Sequence, residues 1–169
     1  SRYKEALPYL AKHKELAGTL TRSQWYQTGY TYYKLKNYYD AIICFPNATG
    51  EKDSLSQNAY YHLGDCFLQQ SYENPSVKIL AKNSFEMTCK LDFDKTITED
   101  AMFNYAKLCY ELSFSPFNEA IYVLNDYISK YPNSQRANEC YKYLVNVYLS
   151  TKNYKEAMNL YSKALSEHP

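Results

Sequence analysis

WYQTGYTYYKLKNYYDA, residues 25–41, holds six tyrosines and one tryptophan in 17 positions. Tyr26, Tyr30 and Tyr33 are spaced by four and three residues, so on a helix they share one face. The stretch closes on LKNYYDA, residues 35–41, and nearly the same words return as TKNYKEA, residues 151–157. Both contain Lys-Asn-Tyr-x-acid-Ala, and both sit between one aromatic helical pattern and the next. A motif returning at the far end of the chain is the mark of an internal repeat.

The alanines carry the period. Ala41/Phe45/Ala48, Ala81/Phe85/Thr88, Ala120/Leu124/Tyr127 and Ala157/Tyr161/Ala164 share the spacing x, x+4, x+7, and a truncated copy, Ala6/Leu10/His13, precedes them. Residues at that spacing fall on one helix face, so each set predicts a short amphipathic helix. A second set lies upstream of each alanine: Trp25/Thr28/Gly29/Tyr32, Tyr60/Leu63/Gly64/Phe67, Met102/Tyr105/Ala106/Cys109 and Tyr141/Leu144/Val145/Tyr148. Each unit is thus a pair of helices. One such pair cannot bury its own apolar face, so its neighbours must supply the rest of the core.

Composition agrees with a helical core. The 169 residues are 46% hydrophobic and 17% aromatic, which excludes a chain disordered by composition. Four glycines (Gly18, Gly29, Gly50, Gly64) and six prolines are too few for the tight turns of a β-rich fold. Nineteen basic against 18 acidic side chains give a formal charge of +1, without the electrostatic footprint of a phosphate-backbone binder. No stretch approaches the roughly 18 unbroken apolar residues of a membrane span. The chain opens at Ser1 inside a helical pattern, which reads as a segment of a longer protein. Cys44, Cys66, Cys89, Cys109 and Cys140 are odd in number, form no CxxC pair, and are expected as buried free thiols.

The pattern resembles the tetratricopeptide repeat: W-x2-L-G-x2-Y, then Ala, then F-x2-A, then Pro. Lys130-Tyr131-Pro132 and Glu167-His168-Pro169 end two copies on that proline. The resemblance implies an all-α, right-handed α-solenoid of stacked antiparallel helix pairs. It spans 1–169 as a single repeat domain, with a partial repeat at 1–20 and repeats at about 22–55, 57–95, 99–133 and 138–169. Three departures stand out. SYENPSVKI (71–79) and SFSPF (113–117) lengthen two linkers, and Pro46 is expected to kink or shorten the helix that starts near Tyr39. Gly29 and Gly64 are expected to permit close approach of the helices packed on them.

In the register of that family, Trp25, Tyr32 and Tyr38 fill packing positions, while Tyr26, Tyr30 and Tyr33 point into the concave groove. The matching groove positions are Tyr61, Asp65 and Leu68, then Phe103, Lys107 and Tyr110, then Lys142, Asn146 and Leu149. Some members grip a peptide's terminal carboxylate with lysine and asparagine. Here Tyr26 and Tyr30 stand at the first such pair, and only Lys142 and Asn146 match it. Tyrosine anchors suit a partner because a ring gives much contact area for little lost rotamer entropy.

Chemistry is not signalled. HExxH, GxSxG and phosphate-loop motifs are missing from the sequence, and no catalytic residue, cofactor or metal is expected. His62 and Cys66 are one helical turn apart, too few ligands for a metal site. Thr98 followed by Glu99 and Asp100 reads as a capped helix start. The expected function is a protein–protein interaction scaffold that binds a protein or peptide segment, without nucleic acid or membrane insertion. The alternatives are a structural or oligomerisation segment with its tyrosine face buried against further repeats, and an RNA-reading helical array, which charge and irregular spacing oppose. Tyr131-Pro132-Asn133-Ser134 is similar to bacterial cell-envelope members of the family. That points to the periplasmic side of the envelope, with the cytoplasm as the alternative.

Overall fold

The computed structural model of the protein describes residues 2–17 and 19–167. Among them every regular element is helical: α1 Arg2–Ala17, α2 Arg22–Lys34, α3 Tyr38–Cys44, α4 Ser54–Gln70, α5 Lys78–Leu91, α6 Lys95–Leu112, α7 Asn118–Lys130, α8 Gln135–Ser150 and α9 Tyr154–Glu167. The architecture is the all-α, repeat-type packing of successive helix pairs. Contacts gather into two compact units, Ser1–Ala101 and Met102–Pro169, and α6 contributes to both.

In the first unit α2 packs on α3, and α4 packs on α5 and on the preceding pair. The alanine sets form the seam. Ala41, Phe45 and Ala48 are fully buried, as are Ala81, Phe85 and Thr88 to within 1%. Helix approach is close where glycine stands: a Cβ built on Gly29 would meet Cys44 Cβ and the Phe45 ring at 3.1 Å. Trp25, Tyr32 and Tyr38 are partly buried and packed against the cluster of Ala41, Phe45, Ala59, Leu63 and Cys66. Pro46 shortens α3 to seven residues, and a 3-10 turn, Phe45–Ala48, takes over.

Polar side chains tie the helix starts together. Thr21 and Gln24 form a reciprocal capping box on α2. Asp53 caps α4 by accepting from the Ser56 N–H (2.8 Å), and its carboxylate also holds the Arg22 guanidinium in a two-pronged pair (2.8 and 3.1 Å). Arg22 together with the cap holds the Asp53 carboxyl well below the usual carboxylate range. One repeat later, at the position equivalent to Arg22, Gln57 is fully buried. It accepts from the Asp94 N–H (2.7 Å) and donates to Thr98 Oγ1 (2.9 Å). The cap of α6 differs from the sequence expectation. Asp94 Oδ1 accepts from the Thr96 and Ile97 N–H groups (2.9 and 3.2 Å), which leaves Thr98 inside the helix and 7% exposed. An aspartate four residues upstream takes the orphan donors first.

In the second unit α7 packs on α8 and α8 on α9. Ala120, Leu124 and Tyr127 are fully buried. The last alanine set behaves differently: Ala157 is 4% exposed but Tyr161 is 60% exposed. Among the described residues no helix covers that side of α9. Ala6 and Leu10 of the truncated first copy lie on α1 and are partly buried, the side chain of His13 is not described, and His168 and the final Pro169 lie outside the described residues.

The two KNY turns share one geometry. Lys36 and Lys152 adopt left-handed φ of 59° and 60°. Around Lys36, the Asn37 N–H bonds to Tyr32 O (3.0 Å) and the Lys36 N–H to Tyr33 O (2.9 Å). Around Lys152, Asn153 N–H bonds to Tyr148 O (2.7 Å) and Lys152 N–H to Leu149 O (3.1 Å). This is the Schellman closure, which satisfies the last carbonyls of a helix and turns the chain sharply into the next. The repeated words therefore encode a repeated turn.

Candidate functional site

Helix α2 sets three tyrosines on one side by its own periodicity, and the rings touch in sequence. Tyr26 stacks on Tyr30 at 6.0 Å between centroids, and Tyr30 lies 6.1 Å from Tyr33. Tyr3, from α1, meets Tyr30 edge-on at 6.3 Å. Helix α4 supplies the centre of the cluster. His62 lies 6.1, 5.2 and 4.9 Å from Tyr26, Tyr30 and Tyr33, 5.7 Å from Phe45 beneath, and 5.4 Å from its neighbour Tyr61. Each of Tyr26, Tyr30, Tyr33 and Tyr61 is partly buried, so each ring is packed and still presents surface.

Two hydroxyls are pinned to carboxylates on the first helix of the following pair. Tyr33 Oη donates to Asp65 Oδ2 on α4 (2.6 Å), and Tyr61 Oη donates to Asp100 Oδ2 on α6 (2.7 Å). The same device, a tyrosine on one helix and an aspartate two helices on, thus occurs twice in the unit. Burial, with the neighbouring Tyr30, raises the Tyr26 phenol to about 12. Burial and then the Asp65 hydrogen bond push Tyr33 further up. His62 moves the other way. Burial lowers it to about 4, against the opposing pull of Asp65, and its Nδ1 is buried without a hydrogen-bond partner. A neutral imidazole among aromatic rings is the consequence.

Five of the groove residues named from the sequence belong to this cluster: Tyr26, Tyr30, Tyr33, Tyr61 and Asp65. Leu68 is partly buried in the same unit, and the other six, with Leu149 exposed, lie in the second unit. Phe103 is 8% exposed, its ring set against Tyr127 (5.7 Å) and the Arg136 guanidinium (4.9 Å). Tyr110 stacks on Tyr143 at 4.7 Å, and Lys107 is partly buried. Lys142 and Asn146 are exposed and line a groove of about 380 Å³ together with Tyr141, Val145, Tyr161 and Ala164.

His62, Lys34, Asp100 and Tyr143 were not found from the sequence. His62 follows a groove residue by one position and would have been legible only from the packing of α4 on α2. Asp100 follows Thr98 and Glu99 at a helix start, and nothing in that local pattern signals that it accepts from Tyr61.

Cys44, Cys66, Cys109 and Cys140 are buried thiols, whereas Cys89, expected to be buried with them, is only partly so; burial pushes Cys66 and Cys140 up to about 12. Among the described residues no group of three or more His, Cys, Asp or Glu side chains could hold a metal ion, and His62 faces rings instead. No described helix is long and apolar enough to cross a membrane.

No curated protein matches the chain. Residues 100–134, which cover most of α6, all of α7 and the turn before α8, match the family model of the tetratricopeptide repeat, and the match supports a tetratricopeptide repeat protein.

Proposed function

We propose that the chain is a protein–protein interaction scaffold whose tyrosine face, built on α2 and α4, receives a segment of a protein or peptide partner without chemistry. The observation that carries this reading is the pair of hydrogen bonds from Tyr33 to Asp65 and from Tyr61 to Asp100. They hold the rings in place before a partner arrives, and a preordered aromatic surface loses little entropy on binding. The tetratricopeptide match within residues 100–134 supports the scaffold class. In the second unit the same reading takes Lys142 and Asn146 as polar contacts beside an apolar groove. Phe103, covered by Tyr127 and Arg136, serves as support beneath the surface.

The test is affinity capture with the wild-type chain and with Tyr26→Ala/Tyr30→Ala/Tyr61→Ala, after circular dichroism shows the helices intact. Loss of a specific partner in the triple variant supports the assignment, and unchanged recovery removes it. A second reading, a tyrosine face that mates with further repeats or another copy, is favoured by the mutual stacking of Tyr26, Tyr30 and Tyr33. Sedimentation decides for it if self-association disappears in Tyr26→Ala/Tyr30→Ala. The envelope reading of Tyr131-Pro132-Asn133-Ser134 is part of the same proposal, tested by fractionating cells that express the protein.

A further inference from the structure

If α2 and α4 present a partner site, as proposed above, the charges fixed around it decide which partner fits. Tyr33 and Tyr61 each donate to a carboxylate, Asp65 and Asp100, which places two negative charges beside aromatic rings. A phenol that donates to an anion is polarised toward greater electron density on its ring, and that strengthens the attraction of a cation to the ring face. The face already holds one cation of its own: Lys34 Nζ, one turn beyond Tyr30, lies 5.3 Å from the Tyr30 centroid. His62 at the centre of the rings adds aromatic surface without positive charge, because burial keeps it neutral near pH 7.

We infer that the segment received by this face carries lysine or arginine side chains, their cationic heads over the tyrosine rings and against Asp65 and Asp100. Lys34 occupies in the unbound chain a position that a partner's cation takes over on binding. An acidic segment would bring like charge to both aspartates, and such juxtaposition selects against a partner.

The experiment uses the full 169-residue chain as bait for a display library of random peptides. The best binder is then synthesised and titrated by fluorescence anisotropy against wild type, Asp65→Asn/Asp100→Asn and Tyr30→Ala/Tyr61→Ala. The asparagine amide oxygen still accepts from the tyrosine, so the double asparagine variant removes charge and keeps shape. The expected result is enrichment of Lys and Arg among the binders. Affinity should then fall about tenfold in the asparagine variant, and added salt, which screens the contacts, should weaken binding more in wild type than in that variant. Binders poor in Lys and Arg that are lost in Tyr30→Ala/Tyr61→Ala would overturn the cationic partner and keep the tyrosine face. Binders indifferent to both variants, or no binders, would overturn both.

Discussion

The ring of Phe85 occupies the space that a side chain on Gly64 would need: a Cβ there would lie 3.0 Å from Cδ1 and Cε1. Phe85 is 1% exposed, so the ring is packed on its other sides as well. Gly64→Ala therefore gains about 1 kcal/mol of helix propensity and loses about 1–3 kcal/mol to overpacking. The expected net effect is destabilisation by about 1 kcal/mol, seen in thermal unfolding as a drop of about 3 °C. Gly29→Ala, against Cys44 and Phe45 at 3.1 Å, should move the same way. A rise in melting temperature for both would refute the close approach.

Lys36 and Lys152 pay for their sharp turns with left-handed backbones. Glycine adopts that conformation without the steric penalty of a Cβ, which is about 1 kcal/mol or slightly more. Lys36→Gly and Lys152→Gly should each stabilise the protein by about 0.5–1 kcal/mol in urea unfolding. The part of the penalty regained is reduced by glycine's freedom in the unfolded chain. The two turns are far apart in sequence and share no partner, so the gains should add.

Gln57 is the buried equivalent of Arg22, and its amide serves both a donor and an acceptor at the start of α6. Gln57→Leu keeps the volume and strands the Asp94 N–H. A loss of about 2–3 kcal/mol is expected, together with faster hydrogen exchange at the Asp94 amide. Exchange unchanged from wild type would show that the start of α6 does not depend on this side chain.

His62 makes stability depend on pH in one direction. Its folded value of about 4 lies below the ordinary 6.5, so between these values the unfolded chain binds the extra proton. Stability must then fall as pH falls from about 6.5 to about 4, by an amount on the order of 2–3 kcal/mol. His62→Phe retains an aromatic ring against Phe45 and removes the titration. The difference in unfolding free energy between wild type and His62→Phe, measured at several pH values, should shift over that window. A constant difference would place the imidazole in water.

The repeat was legible because its spacing is written in small and large residues. Ala41, Ala81 and Ala120, with their partners four and seven residues on, announced buried faces that the packing of successive helices then closed. Tyr161 did not follow, although its set has the same letters. A side chain is buried only when another element lies over it, and no described helix lies over that side of α9. The cap at Thr98 failed for a local reason. Asp94 competes for the same N–H groups and is placed one turn earlier, where the donors emerge.

The site was legible in part. The spacing of Tyr26, Tyr30 and Tyr33 is a property of one helix, so the sequence by itself determined that they share a face. It also determined the individual helices and the recurrence at Lys36-Asn37 and Lys152-Asn153, since each rests on contacts within a few residues. Only the tertiary structure decided that His62 stands at the centre of the rings, that Asp65 and Asp100 receive the tyrosine hydroxyls, and that Phe103 is covered. Those relations join residues about 17 to 39 positions apart (Phe45–His62, Phe103–Tyr127, Tyr26–His62, Tyr61–Asp100), brought together by the packing of one helix on another. Local periodicity sets which way a side chain points, but the neighbouring helix sets what it meets.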